Sequence, residues 1–121
     1  MTYKEVYQKI SGITVSTATT DTIPAAYLQF PEDDPSNPAP PPPFITYYYS
    51  GSDDLIADNI NYQRIRPLVL ELYCDSKDFT LEKAVEDFLT SNGFVYSKSE
   101  EYIDSEKLYM TTFETEVIIN G

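Results

Sequence analysis

The sequence predicts an α+β fold: a small, largely antiparallel sheet of about five to six strands, with two helices packed on one face. Two stretches have helical periodicity and stand apart from each other, one at the start of the chain and one after Asp78. The remaining apolar residues fall in short alternating runs separated by turn clusters, and no repeat is visible. Strands grouped in runs with segregated helices are the pattern of an α+β layer fold. At 121 residues the chain reads as one domain, 1–121, with a mobile proline-rich loop at about 31–43.

The first helix begins at a capping box. Thr2 and Glu5 have the spacing at which hydroxyl and carboxylate each satisfy a backbone donor of the other. Tyr3, Val6, Tyr7 and Ile10 follow as one stripe, and Ser11-Gly12 ends the helix. Ile13 to Asp21, rich in Thr and Ser, reads as an extended connector or weak strand. Ile23 to Phe30 is expected as a first strand, with Pro24 at its start or edge.

Pro31-Glu-Asp-Asp-Pro-Ser-Asn-Pro-Ala-Pro-Pro-Pro-Pro43 then intervenes. Four consecutive prolines favour polyproline II and offer no sheet donors. Such a run can serve as a ligand for an aromatic groove, but no basic anchor flanks it, and a stiff loop between two strands is the plainer reading. Deleting Asp34 to Pro41 is expected to spare the fold and impair assembly.

Phe44 to Ser50 is the second strand, with Tyr48 facing opposite to Tyr47 and Tyr49. Ser50 to Asp54 is a turn cluster, and Leu55 to Gln63 a polar third strand or hairpin arm. Ile65 to Asp75 alternates most clearly: Leu68, Leu70, Leu72 and Cys74 share one face, expected to meet the main helix. That helix spans about Phe79 to Ser91, capped by Asp78 or Thr80 and stopped by Asn92-Gly93. Leu81, Val85, Phe88 and Leu89 form its apolar face, with Glu82, Glu86 and Asp87 expected outside. Phe94 to Ser97 begins a strand. Lys107 to Ile119 gives the last, where Tyr109, Phe113 and Val117 share a face.

Composition narrows the function. Twenty Asp and Glu against eight Lys and Arg give a formal charge of −12. With so few cations, sequence-specific binding to nucleic acid and adhesion to anionic membranes are both disfavoured. The excess suits solubility, or a passage that nucleic acid crosses without sticking. No apolar run approaches the roughly 20 residues that span a bilayer. Cys74, the only cysteine, sits in an apolar run as an inert buried thiol, compatible with a reducing cytoplasm.

Histidine is absent, which removes the commonest general base and zinc ligand. No phosphate-cradling glycine loop and no nucleophile elbow occurs. Asp53, Asp54 and Asp58, or Asp75 with Asp78, are the candidate hard-cation ligands. Turn and cap duty explains them more simply. The reading is of a non-enzymatic protein with no catalytic residues, no metal and no cofactor. Candidate interface residues are Phe30, Pro40, Pro43, Phe44, Tyr47, Tyr48 and Tyr49, aromatics and prolines beside the loop.

Four segments in order carry a family resemblance. They are Ile23-Pro-Ala-Ala-Tyr27, Pro42-Pro-Phe-Ile45 leading into the tyrosines, Leu70-Glu-Leu-Tyr73 with Asp75-x-Lys77-Asp78, and Tyr102-Ile-Asp-Ser-Glu-Lys-Leu-Tyr109. Over roughly Ile23 to Val117 the chain resembles the tail terminator (tail-completion, head–tail joining) proteins of long-tailed phages and prophages of Gram-positive bacteria. The connector is longer and richer in proline than that family's pattern.

The resemblance implies a small α+β subunit in a homo-oligomeric ring, usually a hexamer, assembled in the host cytoplasm and residing in the virion. Its implied partners are other copies of itself, the tail tube protein and the head–tail connector, with genomic DNA passing through the lumen. Other readings are a neck protein of the same particle, a monomeric acidic module such as a DNA mimic, and a carboxylate-metal hydrolase.

Overall fold

A computed structural model describes residues 1–14, 22–28, 40–52, 54–57 and 60–120, with side chains described in all but 55–57 and 60–63. Helix α1 (Tyr3–Ser11) opens with the reciprocal cap: Glu5 N–H donates to Thr2 Oγ1, and Thr2 N–H to the Glu5 carboxylate, each at 3.1 Å. Val6 and Ile10 are buried while Tyr3 and Tyr7 stay half exposed beside them. The sheet takes strands β1 (Ala25–Tyr27), β2 (Phe44–Tyr49), β3 (Leu55–Ala57) and β4 (Ile60–Cys74) before helix α2 (Phe79–Ser91). Strands β5 (Ser97–Ile103) and β6 (Leu108–Ile119) follow it. The order across the sheet is β1-β2-β4-β6-β5, with β3 pairing the start of β4.

All pairings are antiparallel except one: β1 runs parallel to β2, Ala25 opposite Ile45 and Tyr27 opposite Tyr47. This first strand is shorter than the expected Ile23 to Phe30. Ile23 and Pro24 precede it, and Phe30 with connector residues 31–39 lies outside the described residues. Of the two expectations for Leu55 to Gln63, a third strand or a hairpin arm, the second holds: Leu55–Ala57 pairs antiparallel with the start of β4. Ala57 lies opposite Ile60, and Ile60 onward belongs to β4.

A proline at position 67, inside the central strand, looks forbidden because it removes a ladder donor. The geometry explains it. A strand residue's N–H and C=O point to the same side, and the Pro67 carbonyl accepts from Ser50 N–H at 3.1 Å. That is the β2 side, where the β2 ladder has already ended at the Tyr49–Leu68 pair. No ladder bond to β6 is lost.

One face of the sheet carries the core. Leu68, Leu70, Leu72 and Cys74 of β4 are buried with Ile45 and Tyr47 of β2 and Phe113, Val117 and Ile119 of β6. Both helices contribute to the same cluster through Val6 and Ile10, and through Leu81, Val85 and Leu89. Each fully buried aliphatic side chain contributes about 1.5–3 kcal/mol relative to exposure, so this layer dominates stability.

Helix α2 is positioned at both ends. The Asp78 carboxylate accepts from Thr80 and Leu81 N–H at 3.0 and 3.1 Å, which makes Asp78 the cap. At the far end Gly93 takes φ +76°, and Phe94 N–H reaches back to Leu89 O at 2.9 Å. The expected strand start at Phe94 is therefore displaced: this return bond holds Phe94, Phe94 and Tyr96 pack on the core, and β5 begins at Ser97. Among the described residues no helix is long and apolar enough to cross a membrane.

Glu82 corrects another expectation. It lies at the flank of the apolar stripe, not outside, and is only 3% exposed. Lys77 and Lys98 reach its carboxylate at 2.6 and 2.9 Å. Asp54 likewise has a structural duty: it accepts from Ile65 N–H at 3.0 Å and pairs with Arg66. It thereby stands in for a strand neighbour in the gap between the β3 and β2 ladders. Asp53 and Asp58 lie outside the described residues.

Candidate functional site

The densest chemistry outside the core is a tyrosine surface built by α1, β1 and β2. The parallel β1–β2 pairing sets Tyr27 opposite Tyr47, with ring centroids 5.3 Å apart and nearly perpendicular. Tyr49, two residues on and thus on the same face, lies 6.0 Å from Tyr27 and 5.1 Å edge-to-face from Tyr3. Edge-to-face pairs at these separations are the favoured aromatic geometry. The rings, with Gly51 and Arg66, line a depression of about 490 Å³.

Polar groups fix the rim. Arg66 Nε donates to the Tyr3 hydroxyl at 3.2 Å while its other end pairs with Asp54. The Tyr49 hydroxyl is buried without a hydrogen-bond partner among the described residues. Burial raises the pKa of Tyr49 well above the ordinary phenol value, and neighbouring tyrosines add to it. Tyr47 is raised in the same direction, by burial first and then by Tyr7 and Tyr27. These phenols stay neutral across physiological pH. What the surface offers is aromatic area and hydroxyls, the material of interfaces.

The candidate interface residues divide among several places. Tyr47 and Tyr49 belong to this surface, Tyr47 as its buried floor at 4% exposure. Tyr48 and Phe44 lie on the opposite, helix-free face, where Phe44 stacks on Tyr73 with centroids 5.0 Å apart. Burial, then Glu71, pushes the Tyr73 phenol up to about 12. Pro40 and Pro43 are half-buried on the approach to β2, and Phe30 lies outside the described residues.

The structure adds Tyr3, Tyr7, Tyr27 and Leu28, which hold 45, 49, 48 and 59% exposure. Tyr3 and Tyr7 were read in sequence as part of the apolar stripe of α1, but only Val6 and Ile10 of that stripe are buried. Tyr27 needed the parallel pairing, which no local pattern announces. Among the described residues no group of three or more His, Cys, Asp and Glu is placed to hold a metal ion.

No protein-family model matches the chain, and no curated protein matches it as a relative. The functional reading therefore rests on the residues and on this geometry.

Charge is distributed unevenly about the site. Lys77, Lys83, Lys98, Lys107 and Arg66 each pair with a carboxylate of the same chain. Helix α1, which supplies Tyr3 and Tyr7, has Lys4 and Lys9 against a single Glu5. Tyr3 and Tyr7 thus sit on a helix with a small excess of cations in a strongly acidic chain.

Proposed function

We propose that this chain is a non-enzymatic structural protein of a long-tailed phage or prophage, the tail terminator that caps the tail tube as a ring and joins it to the head. The four ordered segments that resemble that family support the identity. The observation that supports self-assembly is the tyrosine surface, where the half-exposed Tyr3, Tyr7 and Tyr27 gather around Tyr47 and Tyr49. An apolar, aromatic patch of this kind marks a contact surface. Ring closure needs a contact between two different patches of the same chain, and the −12 charge offers a lumen that DNA crosses without adhesion.

The charge also opposes assembly, since like-charged copies repel until salt screens them beyond about 8–10 Å. Light-scattering mass across concentration and ionic strength is the test, with a ring expected to form more readily as salt rises. A chain that stays monomeric throughout, or a ring that dissociates as salt rises, sinks the proposal. Co-purification with tail tubes separates the terminator from another neck protein of the same particle.

A further inference from the structure

We propose that Arg64 of one copy of this chain seats in a notch on the helix-free face of the next, against Glu114. The inference rests on the ring reading and names an ion pair that builds the ring.

The notch follows from where the ladders stop. Strand β2 leaves β4 at the Tyr49–Leu68 pair, and β5 joins β6 only at the Ser97–Glu114 pair. Past these points the sheet narrows to β4 and β6, with Pro67 opposite Glu116. On the helix-free face this step leaves a depression of about 570 Å³. Pro67 and Val69 line it together with Val95, Ser97, Glu114 and Glu116. Val95 is 90% exposed, although Phe94 and Tyr96 on either side of it pack on the core. Thr115 Oγ1 donates to Val95 O at 2.6 Å and so holds the valine beside β6.

Apolar surface next to carboxylates suits one kind of guest, a cationic side chain with an apolar stem. Arginine fits better than lysine. Its planar, weakly hydrated guanidinium lies on apolar surface and pairs a carboxylate through two bonds. No lysine or arginine lines the depression, and Glu114 makes no ion pair among the described residues.

The chain has two arginines. Arg66 is engaged with Asp54 and Tyr3. Arg64 is exposed and makes no ion pair among the described residues. It lies two residues before Arg66 on β4, opposite the buried Ile119, and so shares the face of Arg66 and the tyrosine surface. Arg64 and the notch are thus on opposite faces of one sheet, and a copy cannot fill its own notch. A contact between two different patches is head-to-tail, as a closed ring requires. An ion pair enclosed in the notch is screened far less than surface repulsion, so salt still favours the ring.

The test uses the full chain and its light-scattering mass under conditions where wild type assembles. E114R and R64E each set like charges against one another, and each alone is expected to fall to the 13.8 kDa monomer. E114R is the stricter variant, because it lowers the net negative charge and general repulsion alone would then strengthen assembly. Combined in one chain, R64E/E114R exchanges the two charges and should restore the wild-type mass. Circular dichroism and a thermal transition matching wild type verify each fold. R64Q and E114Q, which only remove a charge, serve where a reversal disturbs the fold, and each should raise the half-assembly concentration at least about tenfold. If a single variant assembles like wild type, or the folded double variant stays monomeric, the pair is wrong and the ring reading stands. If wild type itself never assembles, the ring reading falls first.

Discussion

Glu82 and Lys98 tie helix α2 to strand β5 through a 2.9 Å ion pair whose carboxylate is almost fully buried. Lys77 closes on the same carboxylate from the other side and also binds Glu100. One acidic side chain thus joins the start of the helix, the turn before it and the edge strand. Burying a carboxylate is costly by itself, and two ammonium groups offset that cost only while all partners remain. Glu82→Ala should therefore destabilise the chain by about 1–3 kcal/mol in urea unfolding, because it removes the buried acceptor that Lys77 and Lys98 share and leaves them only Glu100 and Glu86. A loss within about 0.5 kcal/mol would place the pair among ordinary surface bridges.

The same carboxylate sets an acid response. Burial pushes its pKa up, but hydrogen bonds from Lys77 and Lys98 outweigh burial and hold it below the ordinary glutamate value. A folded-state pKa depressed in this way contributes stability above the unfolded pKa, lost as pH falls through the folded one. Between roughly pH 5 and 3, wild type should lose more unfolding free energy than Glu82→Gln does. Parallel losses for the two proteins would show that Glu82 does not titrate as described.

Cys74 supplies a probe of global opening. Burial first, then the carboxylates of Asp78 and Glu82, push its thiol up to about 11. At pH 8 only about one thiol in a thousand is then ionised, and the thiolate is the reactive form. Alkylation of the native chain should be at least about a hundred-fold slower than in denaturant. Its rate should follow unfolding as urea is added. Fast alkylation of the native chain would mean that the end of β4 opens locally.

How much of this was legible can be argued element by element. Both helices could be read from their caps and stripes, because capping needs only residues three apart and Gly93 is bound by its own turn. The alternation of Leu68, Leu70, Leu72 and Cys74 named the core face correctly. Glu82 was misplaced because helical position says only that it borders the stripe. Lys77 and Lys98, which make its burial tolerable, arrive from separate elements. Tyr27 was missed for the same kind of reason. Its neighbours Tyr3, Tyr47 and Tyr49 come from α1 and β2, and a three-residue strand has too little periodicity to show which way it runs.

The connector itself can be tested by separating length from composition. Replacing Asp34 to Pro41 by glycine and serine at equal length should leave the thermal transition near that of wild type. Deleting the same residues should lower it, against the expectation from sequence that the fold would be spared. Equal behaviour of the two variants would refute this distinction.

The reason lies in the direction of β1. Two antiparallel neighbours can be joined by a two-residue turn, but parallel neighbours force the chain to travel back along the strand before it can begin again, usually over a dozen or more residues. Sixteen residues, 28–43, separate Tyr27 from Phe44 in the sequence. What looks in sequence like an ornament on the fold has a least length set by the parallel pairing of β1 and β2. The number of residues in it answers to the sheet, and only their identity is left free to answer to a partner.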